Sequence, residues 1–215
     1  MSARSLTAEE YRKAERTLAR RDPVLRALIR AHGPCALAES QRQDAFTAMV
    51  EAIVWQQLSG KAAATIYRRV LATLPGGVLT AGGLIAVPEE RLRLAGLSRA
   101  KTAYVRDLAA RVLDGSLDLV NLDHLDDEAV IAELTKVKGI GRWTAEMFLM
   151  FRLHRPDVLP VGDVGIVKGF QRAYRLRKPP TPDRMRAIAE PWRPYRSIAS
   201  WYLWRSLEIV VPGAA

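Results

Sequence analysis

The segment Leu134-Thr-Lys-Val-Lys-Gly-Ile-Gly-Arg-Trp-Thr-Ala145 constrains this chain more than any other. One apolar-periodic run ends at it, two glycines follow with a single residue between them, and a second apolar-periodic run begins at once. Gly139 and Gly141 permit positive φ, a backbone form that costs other L-residues roughly 1–2 kcal/mol. They also leave backbone N–H groups uncovered by any Cβ. The segment therefore predicts two helices, about 126–137 and 142–153, joined by a tight hairpin. N–H groups gathered at the start of a helix form a nest for a phosphate oxygen. Lys136, Lys138 and Arg142 surround that nest with positive charge. Further along, Leu159-Pro-Val-Gly-Asp163 sets a lone carboxylate ahead of the helical run 164–174.

Charge composition points to a polyanionic partner. The 215 residues carry 33 Lys and Arg against 23 Asp and Glu, a formal net charge of +10. Such an excess is the footprint expected of a nucleic-acid binder. Cys35 is the one cysteine, which excludes an intramolecular disulfide, a cysteine-ligated iron–sulfur cluster and a zinc knuckle, and points to a reducing compartment. No apolar run approaches the roughly 20 residues of a membrane span. The polar start Met1-Ser-Ala-Arg-Ser5 is unlike a secretory signal, so a protein that is not secreted is expected. His32, His124 and His154 are scattered without metal-ligand spacing and read as surface or loop residues.

Helix signals recur along the chain and strand signals do not. Thr7-Ala-Glu-Glu10 is a capping box for a first helix that Asp22-Pro23 stops. Pro23 opens a second, ended by Gly33-Pro34. Asp44 is placed to cap a third, whose Phe46, Met49, Val50, Ile53 and Val54 form a stripe of helical period. Ser59 heads a fourth that Pro75-Gly-Gly breaks. A short helix over 88–95 and a longer one capped by Ser98 and ending at Asp114-Gly115 precede the hairpin. Helices after Asp163, Pro182 and Pro194 complete the chain. With no useful alternation of apolar and polar residues, the expected fold is all-α.

The hairpin followed by Pro160, Gly162 and Asp163 resembles the helix-hairpin-helix and Gly/Pro/Asp signature of the HhH-GPD superfamily of DNA glycosylases. Other stretches share the likeness. Ile53-Val-Trp-Gln-Gln-Leu-Ser-Gly-Lys-Ala-Ala63 is similar to the superfamily's Gln-Gln-x-Ser turn between two helices. Gly96-Leu-Ser-Arg-Ala-Lys-Thr-Ala-Tyr104 is similar to the segment leading towards its hairpin lobe. Pro191-Trp-Arg-Pro-Tyr-Arg-Ser197 with Trp204 resembles a C-terminal signature of the 3-methyladenine DNA glycosylase II branch. The likeness spans about residues 40 to 205. It implies two helical lobes with the active cleft between them: 40–155 holding the hairpin, and 1–39 joined with 156–215.

The resemblance also implies roles. The hairpin, with Lys136, Lys138, Gly139, Gly141, Arg142 and Thr144, would grip the DNA backbone, and Asp163 would be the catalytic acid. Cleavage of an N-glycosidic bond develops positive charge on the sugar, and a fixed carboxylate in a water-poor pocket stabilises it. The same group can orient an attacking water. An aspartate in this place is otherwise an ordinary N-cap. Relatives that also cut the strand carry, just after Gly-x-Gly-x, a lysine that attacks C1′; here that position is Trp143. An indole there suits an electron-poor alkylated purine, or packs the helix into the core. Met147, one turn on, shares its face, where relatives often have an aromatic. Trp204 matches a further pocket aromatic, while Trp201 and Tyr202 read as core. Trp192 and Tyr195 would anchor the terminal helix, and Arg196 would support the loop before Asp163. By position Gln57 fills the gap left by a flipped base, with Leu58 the alternative wedge and a helix-end cap the alternative role.

The chain is thus expected to be a monomeric, monofunctional glycosylase that removes alkylated purines from double-stranded DNA. No membrane association is expected, and the location is the cytoplasm or nucleoid of a bacterium or the nucleus of a eukaryote. No cofactor is required on this reading. Resemblance alone suggests a structural monovalent cation held by carbonyls of Thr135, Val137 and Gly139. A glycosylase for another lesion class and a non-catalytic hairpin DNA-binding protein are the alternatives.

Overall fold

A computed structural model describes residues 6–39 and 43–207. The polar start, residues 1–5, lies outside them. Among the described residues the chain forms twelve α-helices and no strand, so the all-α expectation holds. The helices are α1 Ala8–Arg21, α2 Pro23–His32, α3 Ala45–Trp55, α4 Gly60–Ala72, α5 Ala81–Ala86, α6 Glu89–Leu94, α7 Arg99–Leu113, α8 Asp127–Leu134, α9 Arg142–Phe151, α10 Val164–Ala173, α11 Pro182–Ala189 and α12 Arg196–Arg205. No described helix is long and apolar enough to cross a membrane.

The caps explain most of these boundaries. Glu10 N donates to Thr7 Oγ1 at 3.2 Å while Thr7 N donates to Glu10 Oε2 at 2.6 Å, completing the capping box of α1. Asp44 accepts from Thr47 N at 2.9 Å, and Ser98 from Lys101 N at 3.2 Å. Ser59 stands at the N-cap of α4 as expected, but its hydroxyl caps nothing. Helix α5 was not foreseen. Its Gly82 and Gly83 weaken helix propensity, and Thr80 compensates by accepting from Gly83 N at 3.0 Å.

The chain forms two compact units. One is Gln43–Phe148, and the other joins the N-terminal helices to everything after Phe148. The second boundary falls inside α9, where the expected division lay at 155/156. In the first unit, the α3 stripe Phe46, Met49, Val50, Ile53 and Val54 is wholly buried. Helix α7 packs against α3, α5 and α6.

In the second unit, α12 packs against α1, α2 and α10, and every residue of 197–204 is buried. A helix buried on all its faces belongs at the centre of its bundle. Asp22, itself buried, ties the early helices to the late ones. Its Oδ1 accepts from Val24 N and Leu25 N at 2.8 and 3.2 Å, capping α2. Its Oδ2 accepts from Tyr174 Oη at 2.6 Å and Trp192 Nε1 at 2.9 Å. Burial, then the Asp22 hydrogen bond and charge, push the Tyr174 phenol well above its ordinary pKa, so it remains a donor. Trp192 also stacks on Phe170 at 5.2 Å, tying the segment before α12 to α10.

Candidate active site and nucleic-acid interface

The hairpin in the first unit is built on backbone geometry. Helix α8 ends at Thr135, whose hydroxyl donates back to Ile131 O at 2.8 Å. Val137 and Ile140 point inward and are buried, so the residues between them are presented outward. Gly139 adopts φ +78°, and a Cβ there would lie 2.2 Å from two ring carbons of Tyr104. Only glycine fits against that ring. Gly141 differs from expectation: its φ is not positive, and a Cβ would meet open space. Its value is the uncovered approach to the first turn of α9, whose leading N–H groups have no intrahelical acceptor.

Charged side chains around the nest are used unequally. Lys138 is the outward cation, with its side chain 69% exposed and Nζ 3.8 Å from Asp107 Oδ1. Its backbone N donates to Asp107 Oδ2 at 3.0 Å, pinning the hairpin to α7. Partial burial pushes the Asp107 carboxyl upward. The hydrogen bonds from Lys138 and Arg111 and their charges outweigh that and hold it below the ordinary carboxylate range. Lys136 pairs with Glu133 at 2.6 Å.

Arg142, with its side chain 56% exposed, is also paired. Its guanidinium is bidentate to Glu128 and donates from Nε to Glu146 at 3.1 Å. These bonds staple α8 to α9 and raise its pKa further, the Glu128 hydrogen bond foremost. Thr144 is buried, which leaves only its backbone for an anion. Trp143, at the second position of α9, leaves 45% of its surface exposed, and Met147 one turn on is half-buried.

The Gln-Gln-x-Ser turn lies in the same unit and meets the hairpin. Gln57 takes φ +56°, outside the comfortable range of a non-glycine residue, and both Gln57 and Leu58 are exposed, Leu58 by 39%. Gln56, not Gln57, reaches inward: its Nε2 donates to Gly139 O at 3.0 Å. Lys101 Nζ donates to the carbonyls of Val54 and Gln56 at 2.7 and 2.6 Å. Desolvation pulls this ammonium below the ordinary lysine range. Lys101 and Tyr104 were not singled out individually, although both lie in Gly96–Tyr104; with Asp107 they recur at three-residue spacing on α7, the signal of one helical face.

Carbonyls suggested for a cation are partly occupied. Val137 O accepts from Ile140 N at 3.1 Å and Gly139 O from Gln56. A carbonyl oxygen has a second lone pair, and neutral oxygens suit a hard monovalent ion. The donor set is compatible. Among the described residues no His, Cys, Asp or Glu cluster could hold a metal.

The carboxylate site is in the second unit. Asp163 is the N-cap of α10, and its Oδ1 accepts from Ile166 N at 2.7 Å and from Trp204 Nε1 at 2.8 Å. Trp204 is only 6% exposed and stacks on Phe151, centroids 6.0 Å apart. Its indole therefore fixes the orientation of the Asp163 carboxylate. Gly165 makes the approach possible, because a Cβ would lie 2.9 Å from Trp204 Cδ1 and 3.0 Å from Asp163 Oδ1.

The loop leading to Asp163 is fastened to the start of α12. Arg196 donates from Nε to Asp157 Oδ1 and from Nη2 to Asp157 O, both at 2.8 Å, as its supporting role anticipated. Ser197 Oγ donates to Arg155 O at 2.6 Å and accepts from Val158 N at 2.9 Å. Helix α12 thus grips the loop at one end and, through Trp204, the acid at the other. His154, read as a surface or loop residue, lies in this fastened loop and is buried, at φ +51°.

Residues 50–194 match the HhH-GPD superfamily base excision DNA repair proteins. A Schizosaccharomyces pombe protein named DNA-3-methyladenine glycosylase 1 is 32% identical over 177 residues, 79% of this chain and 75% of its own. A Bacillus subtilis protein, named a putative DNA-3-methyladenine glycosylase, is 40% identical over 111 residues; these span 52% of this chain but only 39% of that relative. Among solved structures, a Bacillus halodurans DNA-3-methyladenine glycosidase superposes with TM-score 0.81 at 37% identity, covering 90% of this chain and 88% of that one. The S. pombe 3-methyladenine DNA glycosylase Mag1 in complex with abasic DNA superposes with TM-score 0.77 at 30% identity, covering 92% and 98%.

Proposed function

Because the chain belongs to the HhH-GPD superfamily of base excision DNA repair proteins, we propose that it is a monofunctional glycosylase releasing alkylated purines, of 3-methyladenine or 7-methylguanine type, from double-stranded DNA. The observation that carries this reading is the Asp163 carboxylate, fixed at the head of α10 by Ile166 N and Trp204 Nε1. Two donors on one oxygen restrict the plane of the carboxylate before substrate arrives, which is the condition for electrostatic stabilisation without reorganisation.

The chemistry needs little else. An alkylated purine bears positive charge, so it leaves as a neutral base when the C1′–N bond breaks and its electrons move to nitrogen. The sugar is left with oxocarbenium character, which Asp163 faces. A water then bonds to C1′ and gives its proton to Asp163 or solvent. Trp143, exposed at the start of α9, offers its π face to the cationic purine, worth about 0.5–2 kcal/mol, with Met147 beside it.

On this reading Gly139, Gly141, Lys136, Lys138 and the backbone of Thr144 hold the phosphates, and Gln57 or Leu58 fills the stack. Arg142 contributes by stapling the hairpin through Glu128 and Glu146. A monovalent cation on the Thr135, Val137 and Gly139 carbonyls would add charge facing a phosphate. The protein acts as a monomer within the compartment that holds the DNA. A panel of duplexes carrying single defined lesions tests the proposal: release of alkylated purines as free bases is expected, and release of only oxidised or mismatched bases, or of none, contradicts it.

A further inference from the structure

One face of α7 carries Lys101, Tyr104 and Asp107, and each touches a different part of the machinery assigned to DNA. Lys101 bonds the carbonyls of Val54 and Gln56. Tyr104 lies under Gly139, and Asp107 holds Lys138 N. The turn after α3 is strained: Gln57 sits at φ +56°, and such a residue persists only where its surroundings over-determine it. What over-determines it is visible. The carbonyls that end α3 have no further helix to donate to them, and an ammonium at a helix C-terminus satisfies both their hydrogen bonding and the dipole. Gln56, held by its carbonyl, then points its amide at Gly139 O.

We propose that Lys101 is a positioning residue that holds the 56–59 turn in its strained, outward-facing form and locks it to the hairpin, so that filling the base stack and gripping the backbone are done by one rigid body. The inference rests on the assignment of Gln57 and Leu58 as the residues that enter the stack. Lys101 itself touches no DNA, because its amine is turned inward onto two carbonyls. It therefore acts on flipping and not on phosphate affinity. The interaction needs two donors on a long stem, which arginine also has and methionine lacks.

The test reads flipping apart from chemistry. In an Asp163→Asn background, fluorescence of a 2-aminopurine beside an alkylated purine in a duplex reports unstacking without base release. Binding to an undamaged duplex across a salt series reports the phosphate grip. Lys101→Met should lower the flipped fraction about tenfold, the scale of a strained residue left unsupported, with the salt slope kept. Lys101→Arg should restore most of the signal. A Lys101→Met variant that flips as well as its parent overturns the proposal. So does one that loses flipping and salt-dependent binding together without rescue by arginine, since that is general structural damage. A chain with native Asp163 that flips but releases no base would overturn the proposed excision and leave the Lys101 assignment standing.

Discussion

The indole of Trp204 donates from Nε1 to Oδ1 of Asp163 at 2.8 Å, joining two residues 41 positions apart in sequence. Trp204→Phe keeps the aromatic surface stacked on Phe151 and removes the donor. Hydrogen bonds to charged groups contribute about 1.5–3 kcal/mol, so single-turnover base release should fall roughly 10- to 100-fold with DNA affinity kept. Unchanged release would mean that Ile166 N alone aims the acid.

The two hairpin glycines should fail differently. Gly139→Ala forces a Cβ into Tyr104 at a positive φ, and should cost about 1–3 kcal/mol in thermal or denaturant unfolding. Gly141→Ala meets open space and should leave stability near the parent's, yet weaken binding to damaged and undamaged duplex alike by covering the N–H groups. Equal melting of the two variants would contradict this division.

Lys138 gives the salt dependence a sign and a size. Its side chain is the most outward of the hairpin cations, so Lys138→Ala should lower the slope of log affinity against log salt by about one unit. Arg142→Ala should instead loosen the α8–α9 staple, seen as lost stability. An unchanged salt slope for Lys138→Ala would remove it from the phosphate contacts.

Acid should loosen the hairpin through Asp107. Its folded pKa lies below the unfolded value, so its contribution is present above the ordinary carboxylate pKa and fades as pH falls through the folded one. Amide exchange at Lys138 N, which Asp107 accepts, should therefore lose protection in that acid window, and Asp107→Asn should flatten the dependence. The same acid profile in Asp107→Asn would assign it to another group.

The product should be an unbroken strand. With Trp143 at the position of the lyase lysine, no amine is expected at C1′, and borohydride present during the reaction should trap no protein–DNA adduct. Trapping that disappears on mutating Lys61 or Lys168 would name a nucleophile from elsewhere and end the monofunctional reading.

What the sequence disclosed, and what it hid, follows the range of the interactions. Local devices were legible: the Thr7–Glu10 box, the Asp44 and Ser98 caps, the Phe46 to Val54 stripe and the turn at Asp22-Pro23 act within a few residues. Helix α5 was hidden by its glycines. At the site, Gly139 and Asp163 were picked out by the family resemblance, since an aspartate ahead of a helix is otherwise an ordinary N-cap. The Trp204 to Asp163 bond, the Gln56 to Gly139 bond and the Arg142 staple depend on distant chain segments meeting, which periodicity does not encode. The pairing of Arg142 with Glu128 is of this kind, since the two stand 14 residues apart in sequence.

The central claim is that Asp163 stabilises charge on the sugar, and single-turnover excision by Asp163→Asn tests it most directly. Asparagine keeps the acceptor for Ile166 N and Trp204 Nε1 but loses the negative charge. On a duplex with one 7-methylguanine, base release should fall on the order of 10²–10³-fold while duplex affinity and melting stay at the parent's values. Release at the parent's rate by this variant would contradict the account.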